Sequence, residues 1–524
     1  MSIIRKIFFL SLILLLVQCR KRNIANWDAD IVFPLVNSQL NIKNFLGDSI
    51  FNADNSGLLS LSLTRTLTAI KLDSLVKLPD TTIIKSFVTV FPLSLTPGQS
   101  FNTLPATELK FDIGNGVALK KIEIKSGLLS VKFSNTTLQP LDLVYSIASA
   151  FKYNQPFVIS ETIPPGTNSL IKSYSLDGYT LNMQGLLGNV YNTIVQNYTV
   201  SLNANAAATI IPFGQGAFIE ITYSNIIPQY IEGYFGQQTV ALALDTVNFG
   251  ILKDFEAKNF MLNSATINFD IINQLGAEFT ASLNTIKGIN SSTVIPLNAA
   301  QLANININRA SKSGVTISQS VKSVSLNSSN SNIVPLLSML PNKLSYQGNI
   351  ALNPFGNLSG FNDFAFYNKG LNVIANINLP LRFNADYFKL ASTTPIDFTN
   401  IKQLERVNFG DFILAGSNGF PFNAQVQAYM IDENNQIIDS LFIPKANTLL
   451  KGATDAQNIV TVPTLTKVKA SFDKNKIHNL KKTKSLKIIT YFFMPPNPPD
   501  IKLLENYSID INIIAELNYN VKAA

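Results

Sequence analysis

Residues 508–521 alternate almost without fault. Ile509, Ile511, Ile513, Ala515, Leu517, Tyr519 and Val521 take one set of positions, and Asp510, Asn512, Glu516, Asn518 and Asn520 the other. Side chains of a strand point to opposite faces with a period of two, so this is a long strand with one dry and one wet face. The same period governs the chain from about Ser60 onward. Apolar residues make up 46% of the sequence and charged residues only 14%. Apolar residues dealt out in short alternating runs store a core between sheets. The expected fold class is therefore mainly β: several sandwich-like (Ig-like) units in one elongated or multi-domain chain, with few short helices. Cys19 is the single cysteine, so no disulfide within the chain can hold these units, and the fold rests on core size.

One arrangement returns. Leu129, Val131 and Phe133 alternate, residues 135–140 break the run, and Leu141, Leu143, Tyr145 and Ile147 alternate again. Ile267, Phe269 and Ile271 lead into Asn273-Gln-Leu-Gly276, followed by Phe279, Ala281 and Leu283. Asn418-Gly419 precede Phe422, Ala424, Val426, Ala428 and Met430. An asparagine at a strand exit has a local cause, because it caps its own turn and tolerates left-handed backbone. Asn135, Asn273 and Asn418 are thus candidate markers of a repeat. A further strand, Ile350 and Leu352 before Asn353-Pro354-Phe-Gly356, breaks the even spacing. The organisation expected is a leader over residues 1–18, a tether over 19–26, an N-terminal β region over 27–250, a middle β region over 251–405 and a C-terminal sandwich-like domain over 406–524. Two short helices are expected, one over residues 333–340 with Ser331-Asn332 as its cap and Pro341 as its stop, the other over residues 474–484.

The beginning of the chain supplies an address. Arg5 and Lys6 precede the apolar run of residues 7–17, and Gln18-Cys19 follow. A permanent membrane-spanning helix needs roughly 20 residues, so the run reads as a cleavable export signal. Leu16-Val17-Gln18-Cys19 resembles the bacterial lipobox, which implies an acylated Cys19 and a protein held to a membrane by lipid. Removing residues 1–18 takes away Arg5 and Lys6, so the net charge falls from +8 to +6. A nucleic-acid binder concentrates its charge far more, and none is expected as a partner. Arg20-Lys21-Arg22 would lie beside the membrane or form a solvated tether, and both readings stand at this point. Trp27, the only tryptophan, is expected to plug the first strand into the core.

The stretches Trp27-Asp-Ala-Asp-Ile-Val-Phe-Pro-Leu35 and Leu72-Asp73-Ser74-Leu75-Val-Lys-Leu-Pro79-Asp80 are similar to segments of large, uncharacterised β-rich lipoproteins of Bacteroidetes. So are Leu336-Leu337-Ser-Met-Leu340-Pro341, Asn353-Pro354-Phe-Gly356 and Leu379-Pro380-Leu381. The likeness is scattered over most of the chain, and none of these segments carries known chemistry. It implies an outer-membrane, cell-envelope location for a lipid-anchored protein, and no activity. Surface export of such lipoproteins is read from acidic residues after the cysteine. The basic residues here imply a periplasm-facing protein, with the cell surface as the alternative.

Several chemistries are excluded. With one histidine, His478, no His-Glu-x-x-His zinc site exists, and one cysteine forms no thiolate site. There is no Gly-Lys pair for a phosphate-binding loop and no Gly-x-Ser-x-Gly elbow. His478 lies among lysines, which oppose its protonation, so no catalytic triad is expected through it. No cofactor or metal is expected. Carboxylate pairs remain: glycoside hydrolysis needs two acids at a set separation, and Asp28 with Asp30 is the candidate, against a reading as solvent-facing alternate residues of a strand. Asp432-Glu433-Asn434-Asn435 sits between alternating runs and lacks calcium-loop spacing, which makes it a hairpin turn.

The densest charge is between residues 467 and 487, with eight lysines (467, 469, 474, 476, 481, 482, 484, 487) and one acid, Asp473. Lys481, Lys482 and Lys484 are the candidate contacts for an anionic partner. Equally, they are the wet face of a strand and helix whose dry side is Val468, Phe472, Ile477 and Leu480. The function expected is non-enzymatic: a lipid-anchored binding or assembly component of the envelope, touching the membrane through Cys19 and envelope proteins or anionic lipid besides. Two alternatives follow it, a carrier of lipid or another apolar ligand in a sheet–helix groove, and an acid-pair glycoside hydrolase.

Overall fold

The computed structural model describes residues 26–42, 51–71, 76–248, 256–291, 293–396, 406–443, 446–495 and 501–522. The export signal, Cys19 and the basic triplet after it lie outside these residues. Strands dominate: three sets of eight strands fold into three sandwiches built chiefly of antiparallel pairs. In chain order, β1 (Asn26–Asn41), β2 (Leu59–Lys71) and β3 (Thr81–Val88) come first. β4 (Ser100–Lys110), β5 (Ala118–Asn135), β6 (Leu141–Lys152), β7 (Gln155–Ile163), β8 (Leu170–Ser175), β9 (Thr193–Leu202) and β10 (Gly216–Tyr234) complete the first sandwich with β3.

Its two sheets run β3-β10-β5-β8 and β4-β9-β6-β7. Lettering the eight strands a to h along the chain, the orders are a-h-c-f and b-g-d-e. This is the double Greek key of a jelly roll. A three-residue strand, Thr180–Asn182, bridges the sheets by pairing with both β5 and β6.

The second sandwich repeats the order. Its strands are β2, β11 (Gln238–Asn248), β12 (Thr266–Asn273), β13 (Phe279–Asn290), β14 (Thr293–Pro296), β15 (Ser320–Leu326), β16 (Lys343–Leu352) and β17 (Gly370–Pro380). The sheets run β2-β17-β12-β15 and β11-β16-β13-β14. The third uses β1, β18 (Tyr387–Pro395), β19 (Val407–Asn418), β20 (Asn423–Ile431), β21 (Ile437–Ser440), β22 (Thr464–Phe472), β23 (Ser485–Phe493) and β24 (Ser508–Lys522). Its sheets run β1-β24-β19-β22 and β18-β23-β20-β21. We call the three rolls A, B and C in order of completion.

The rolls are nested rather than consecutive. β1, β2 and β3 open rolls C, B and A in that order; A is then completed, B after it, and C last. Compact units accordingly draw on separated stretches: one comprises Met1–Leu61, Ile251–Asn263 and Pro380–Ala524, the other Ser62–Gly250 and Ser264–Leu379. A division into consecutive regions cannot express this nesting, because β1 pairs with β24 over its length, from Asn26 against Lys522 to Asn41 against Ser508.

The repeated asparagines mark the same corner in every roll. Asn135, Asn273 and Asn418 are the last residues of strand c, and all are buried. In each, the side-chain oxygen accepts from the backbone N–H two residues on, at 2.9 Å. The side-chain nitrogen donates to the carbonyl four residues on, at 2.9–3.0 Å. The chain thereby turns from one sheet toward the other without leaving its backbone groups unsatisfied.

The two expected helices form, as α1 (Ile333–Ser338) and α2 (Lys474–Lys482). Each joins strands f and g of its roll. Asp473 caps α2, accepting from Asn475 and Lys476 backbone N–H at 3.0 and 3.3 Å. Asp432 closes the β20–β21 hairpin by accepting from the Asn434 and Gln436 N–H groups.

Trp27 corrects one expectation. It is 51% exposed and plugs no core. The register puts it opposite Val521 near the outer end of an edge strand, before the irregularity between Pro34 and Val36. Beyond that irregularity Val36 and Leu40 are buried and do the packing expected of the tryptophan.

Candidate functional site

The lysine segment is distributed over three elements of roll C. Lys467 and Lys469 share the outward face of β22, an edge strand. Lys469 pairs with Asp411 at 2.8 Å and Glu516 at 3.6 Å. On α2, Lys476 pairs with Asp439 at 3.5 Å, while Ile477 and Leu480 are buried together with Phe472 at the end of β22. Lys482 and Lys484 are exposed, Lys481 is half-buried and Lys487 half-buried on β23. Of the dry side read from the sequence, Phe472, Ile477 and Leu480 are buried and Val468 is half-buried. His478 is exposed on α2, with no constellation around it among the described residues. Asp28 and Asp30 are exposed on β1 and accept from Asn520 and Asn518 at 3.0 and 3.1 Å, as solvent-facing alternate residues would.

A denser cluster, which the sequence did not reveal, lies where roll A meets roll B within one compact unit. Tyr230 and Glu232 share a face of β10, and Tyr230 donates to Glu232. Lys312, from the β14–β15 connection of roll B, donates to Tyr230 and lies 2.9 Å from Glu232 Oε2. Lys120 of β5 closes on Glu232 Oε1 at 3.2 Å. The Lys312 ammonium is also 4.6 Å from the Tyr230 ring centre, a cation–π distance. Alongside, Asp363 is almost wholly buried. It accepts from the Phe235 N–H at 3.0 Å and from Asn353 at 2.8 Å, with Arg309 3.7 Å away. Tyr230 and Glu232 two apart on a strand were legible. Their partner Lys312 is 80 residues downstream of Glu232, and no local pattern connects them.

Every charge in this cluster meets an opposite charge or a hydrogen-bond partner, which makes it a clamp. Burial pushes the Glu232 pKa up, but hydrogen bonds from Tyr230 and Lys312 and the lysine charges outweigh it, holding the carboxyl at about 2 against an ordinary 4.5. Burial, then the hydrogen bond to Glu232, drives the Tyr230 hydroxyl far above its ordinary range. A carboxyl depressed in the folded state stabilises it above the unfolded value and loses that contribution as pH falls. The unit holding rolls A and B should therefore lose stability between pH 4.5 and about 2 through this group. Glu232→Gln should flatten that step and cost about 1–2 kcal/mol at pH 7, since it leaves two lysines facing a neutral amide. Denaturant titration of both proteins across this pH range measures the difference. An unchanged acid limb in the variant would show that other carboxylates carry it.

Roll A's interior holds a second polar group. Tyr145 and Tyr223 hydroxyls meet at 2.6 Å, Gln196 donates to both, and Tyr198 donates to Gln196 at 2.8 Å. All four are fully buried and satisfy one another, so the network specifies core packing and offers nothing to a ligand. The interior of roll B has two small cavities lined by described residues. One, of about 20 Å³, lies beneath α1 among Leu67, Phe269, Ile333, Leu336, Tyr346 and Ile377. The other, of about 10 Å³, lies among Leu242, Leu283, Ile350 and Val373. Each has room for about one water, whereas ligand sites run from roughly 300 Å³ upward.

Three nested jelly rolls, of which A and B are joined by an ion-pair clamp, define the class of the chain. No family model matches it, and no curated protein does. Among solved structures it is similar to a protein of Parabacteroides distasonis described as secreted, with a TM-score of 0.28 and 14% identity, covering 53% of this chain and 82% of that one. It is also similar to the cowpea mosaic virus top component (TM-score 0.14, 9% identity, 62% and 92% covered). A third is the infectious bursal disease virus Gx strain (0.12, 10%, 92% and 86%). No function follows from likenesses this low.

Proposed function

We propose that the chain is a non-enzymatic binding or assembly component of a bacterial cell envelope, exported by residues 1–18 and held to the outer membrane through an acylated Cys19, facing the periplasm. The observation that carries this reading is that the carboxylates and tyrosines gathered in rolls A and B are engaged with one another: Glu232 and Asp363 in the clamp, and Tyr145, Tyr198 and Tyr223 with Gln196. The cavities in roll B are too small for an acyl chain, which weighs against a carrier. Asp28 and Asp30, the glycosidase candidates, are occupied by neighbouring asparagines on an open strand face.

Cys19→Ser should release the protein from membranes, and metabolic labelling with a fatty acid should mark only the unsubstituted chain. Equal labelling of the variant would sink the anchor. The Lys481, Lys482 and Lys484 side chains are proposed as contacts for anionic lipid or an acidic envelope partner. Replacing all three by glutamine should abolish salt-sensitive binding to anionic vesicles while shifting Tm by no more than about 2 °C, because surface charges are screened over about 8 Å and glutamine keeps most of the stem by which half-buried Lys481 packs. Undiminished vesicle binding would leave these lysines as a solvated face. Turnover of chromogenic glycosides that Asp28→Asn abolishes would overturn the non-enzymatic reading.

A further inference from the structure

The a–b, c–d, e–f and g–h strand connections of a jelly roll gather at one of its two ends, and in roll A that end is unlike the opposite one. Four connections meet there: residues 89–99, 136–140, 164–169 and 203–215. None contains Asp, Glu, Lys, Arg or His, although loops of this combined length in a chain with 14% charged residues would carry about five. They instead present Val90, Phe91, Leu138, Ile210 and Phe213, each 61–86% exposed. The opposite end of the same roll carries Lys110, Asp112, Lys120, Lys152 and Asp177.

The four loops form one knit surface. The short strands Leu93–Leu95 and Thr209–Ile211 pair, and Thr89 exchanges backbone hydrogen bonds with Gln215 and Gly214. The Thr136 N–H donates to the Gly216 carbonyl and the Gly166 N–H to the Thr137 carbonyl. Beneath them, Asn135 donates to the carbonyls of Gln139, Ile163 and Pro164. Much of the loop backbone is thus satisfied internally, as a low-dielectric surrounding requires.

Roll B shows what an equivalent end looks like when another roll covers it. There the corresponding connections carry Glu278, Arg309, Lys312 and Asp363, and they meet roll A through the Glu232 clamp and the Phe235–Asp363 hydrogen bond. The end of roll A has the same architecture, no such clamp residues and no cover among the described residues.

We propose that this loop end of roll A is a lipid-contacting tip, which inserts its five large apolar side chains into the interface of a zwitterionic bilayer of no net charge. Taking about 170 Å² for a large side chain, the five expose roughly 600 Å². That lies at the top of the range of patches found on monomers, and below the roughly 800 Å² per partner of a stable protein pair. The side chains sit on loop tips, so they need no complementary groove. Transfer toward hydrocarbon desolvates no charge, which is the term that ordinarily forbids it. This proposal does not depend on acylation of Cys19.

The test uses residues 20–524, so that neither the apolar run 7–17 nor an acyl chain contributes, with phosphatidylcholine vesicles as the probe. Sedimentation should show binding that changes by less than about twofold between 0.1 and 0.5 M salt, unlike an attraction between exposed charges. Phe91→Ser, Leu138→Ser and Phe213→Ser together should weaken it at least tenfold, with circular dichroism and Tm unchanged because the three are exposed. The Lys481, Lys482 and Lys484 to glutamine variant should bind phosphatidylcholine as the parent does. In a Trp27→Phe background, the indole emission of a Phe213→Trp variant should shift to the blue on adding vesicles. Absence of binding by the parent, equal binding by the triple serine variant, or an unshifted emission from the Phe213→Trp variant would each overturn the proposal. So would a dimer in solution that the triple serine variant dissociates, since the tip would then join two copies.

Discussion

A chain ending at Tyr507 is expected to lose roll C outright while rolls A and B still fold. β24, which this truncation removes, lies between β1 and β19 and pairs with both nearly end to end. Its Ile509, Ile511 and Ile513 are fully buried, and Ala515 and Tyr519 nearly so. Burying a large apolar side chain contributes roughly 1.5–3 kcal/mol. Loss of these residues therefore removes on the order of 10 kcal/mol, comparable with the roughly 5–15 kcal/mol that keeps a domain folded. β1 at the same time loses the one strand it pairs with among the described residues. Limited proteolysis should cut within residues 380–507 and leave the unit of Ser62–Gly250 and Ser264–Leu379 resistant. Native-like resistance of residues 380–507 would show that roll C does not depend on its last strand.

The corner asparagines should matter in a fixed order: Asn135→Leu most, Asn273→Leu next, Asn418→Leu least. Leucine matches asparagine closely enough in bulk to leave no large void, so the cost comes from stranded backbone groups. Asn135 serves the Thr137 N–H and hydroxyl and three carbonyls. Asn273 serves the Leu275 N–H and the carbonyls of Ala277 and Asn308. Asn418 serves the Phe420 N–H and the Phe422 carbonyl. Each buried group left unsatisfied costs about 1–3 kcal/mol, which puts Asn273→Leu, with three such groups, near 3–9 kcal/mol and Asn418→Leu, with two, nearer 2–6. Denaturant midpoints for the two compact units measure this separately. Equal effects at the three positions would mean that the shared turn, and not the count of partners, sets the cost.

These corners also show how far the residues could be read. Asn135, Asn273 and Asn418 signalled a repeat because the cause of each turn is local: the side chain bonds to backbone two and four residues ahead. The strands around them were legible for the same reason, since alternation is written into consecutive residues. The helix expected over residues 474–484 was legible in the spacing of Ile477 and Leu480, whereas the Asp473 cap emerged only with the structure. Trp27 misled because hydrophobicity alone says nothing about position in a sheet. It stands on an edge strand, half exposed. The clamp was illegible because Lys120, Glu232, Lys312 and Asp363 come from four separated elements, and a charge on a strand reads as a wet face until its partner is known.

Local neighbours in the chain set the secondary structure, the two-faced character of the strands and the recurring corner, because each depends on residues close by in sequence. Tertiary structure alone decided that the sandwiches are jelly rolls, that three initial strands open them in reverse order of completion, and that one loop end of roll A gathers uncharged connections around exposed apolar side chains. The physical reason is that antiparallel pairing is set by which hydrogen-bonding edges and apolar faces meet. β1 and β24 lie at opposite ends of the chain, and their pairing is a contest among all available edges that no window of sequence contains.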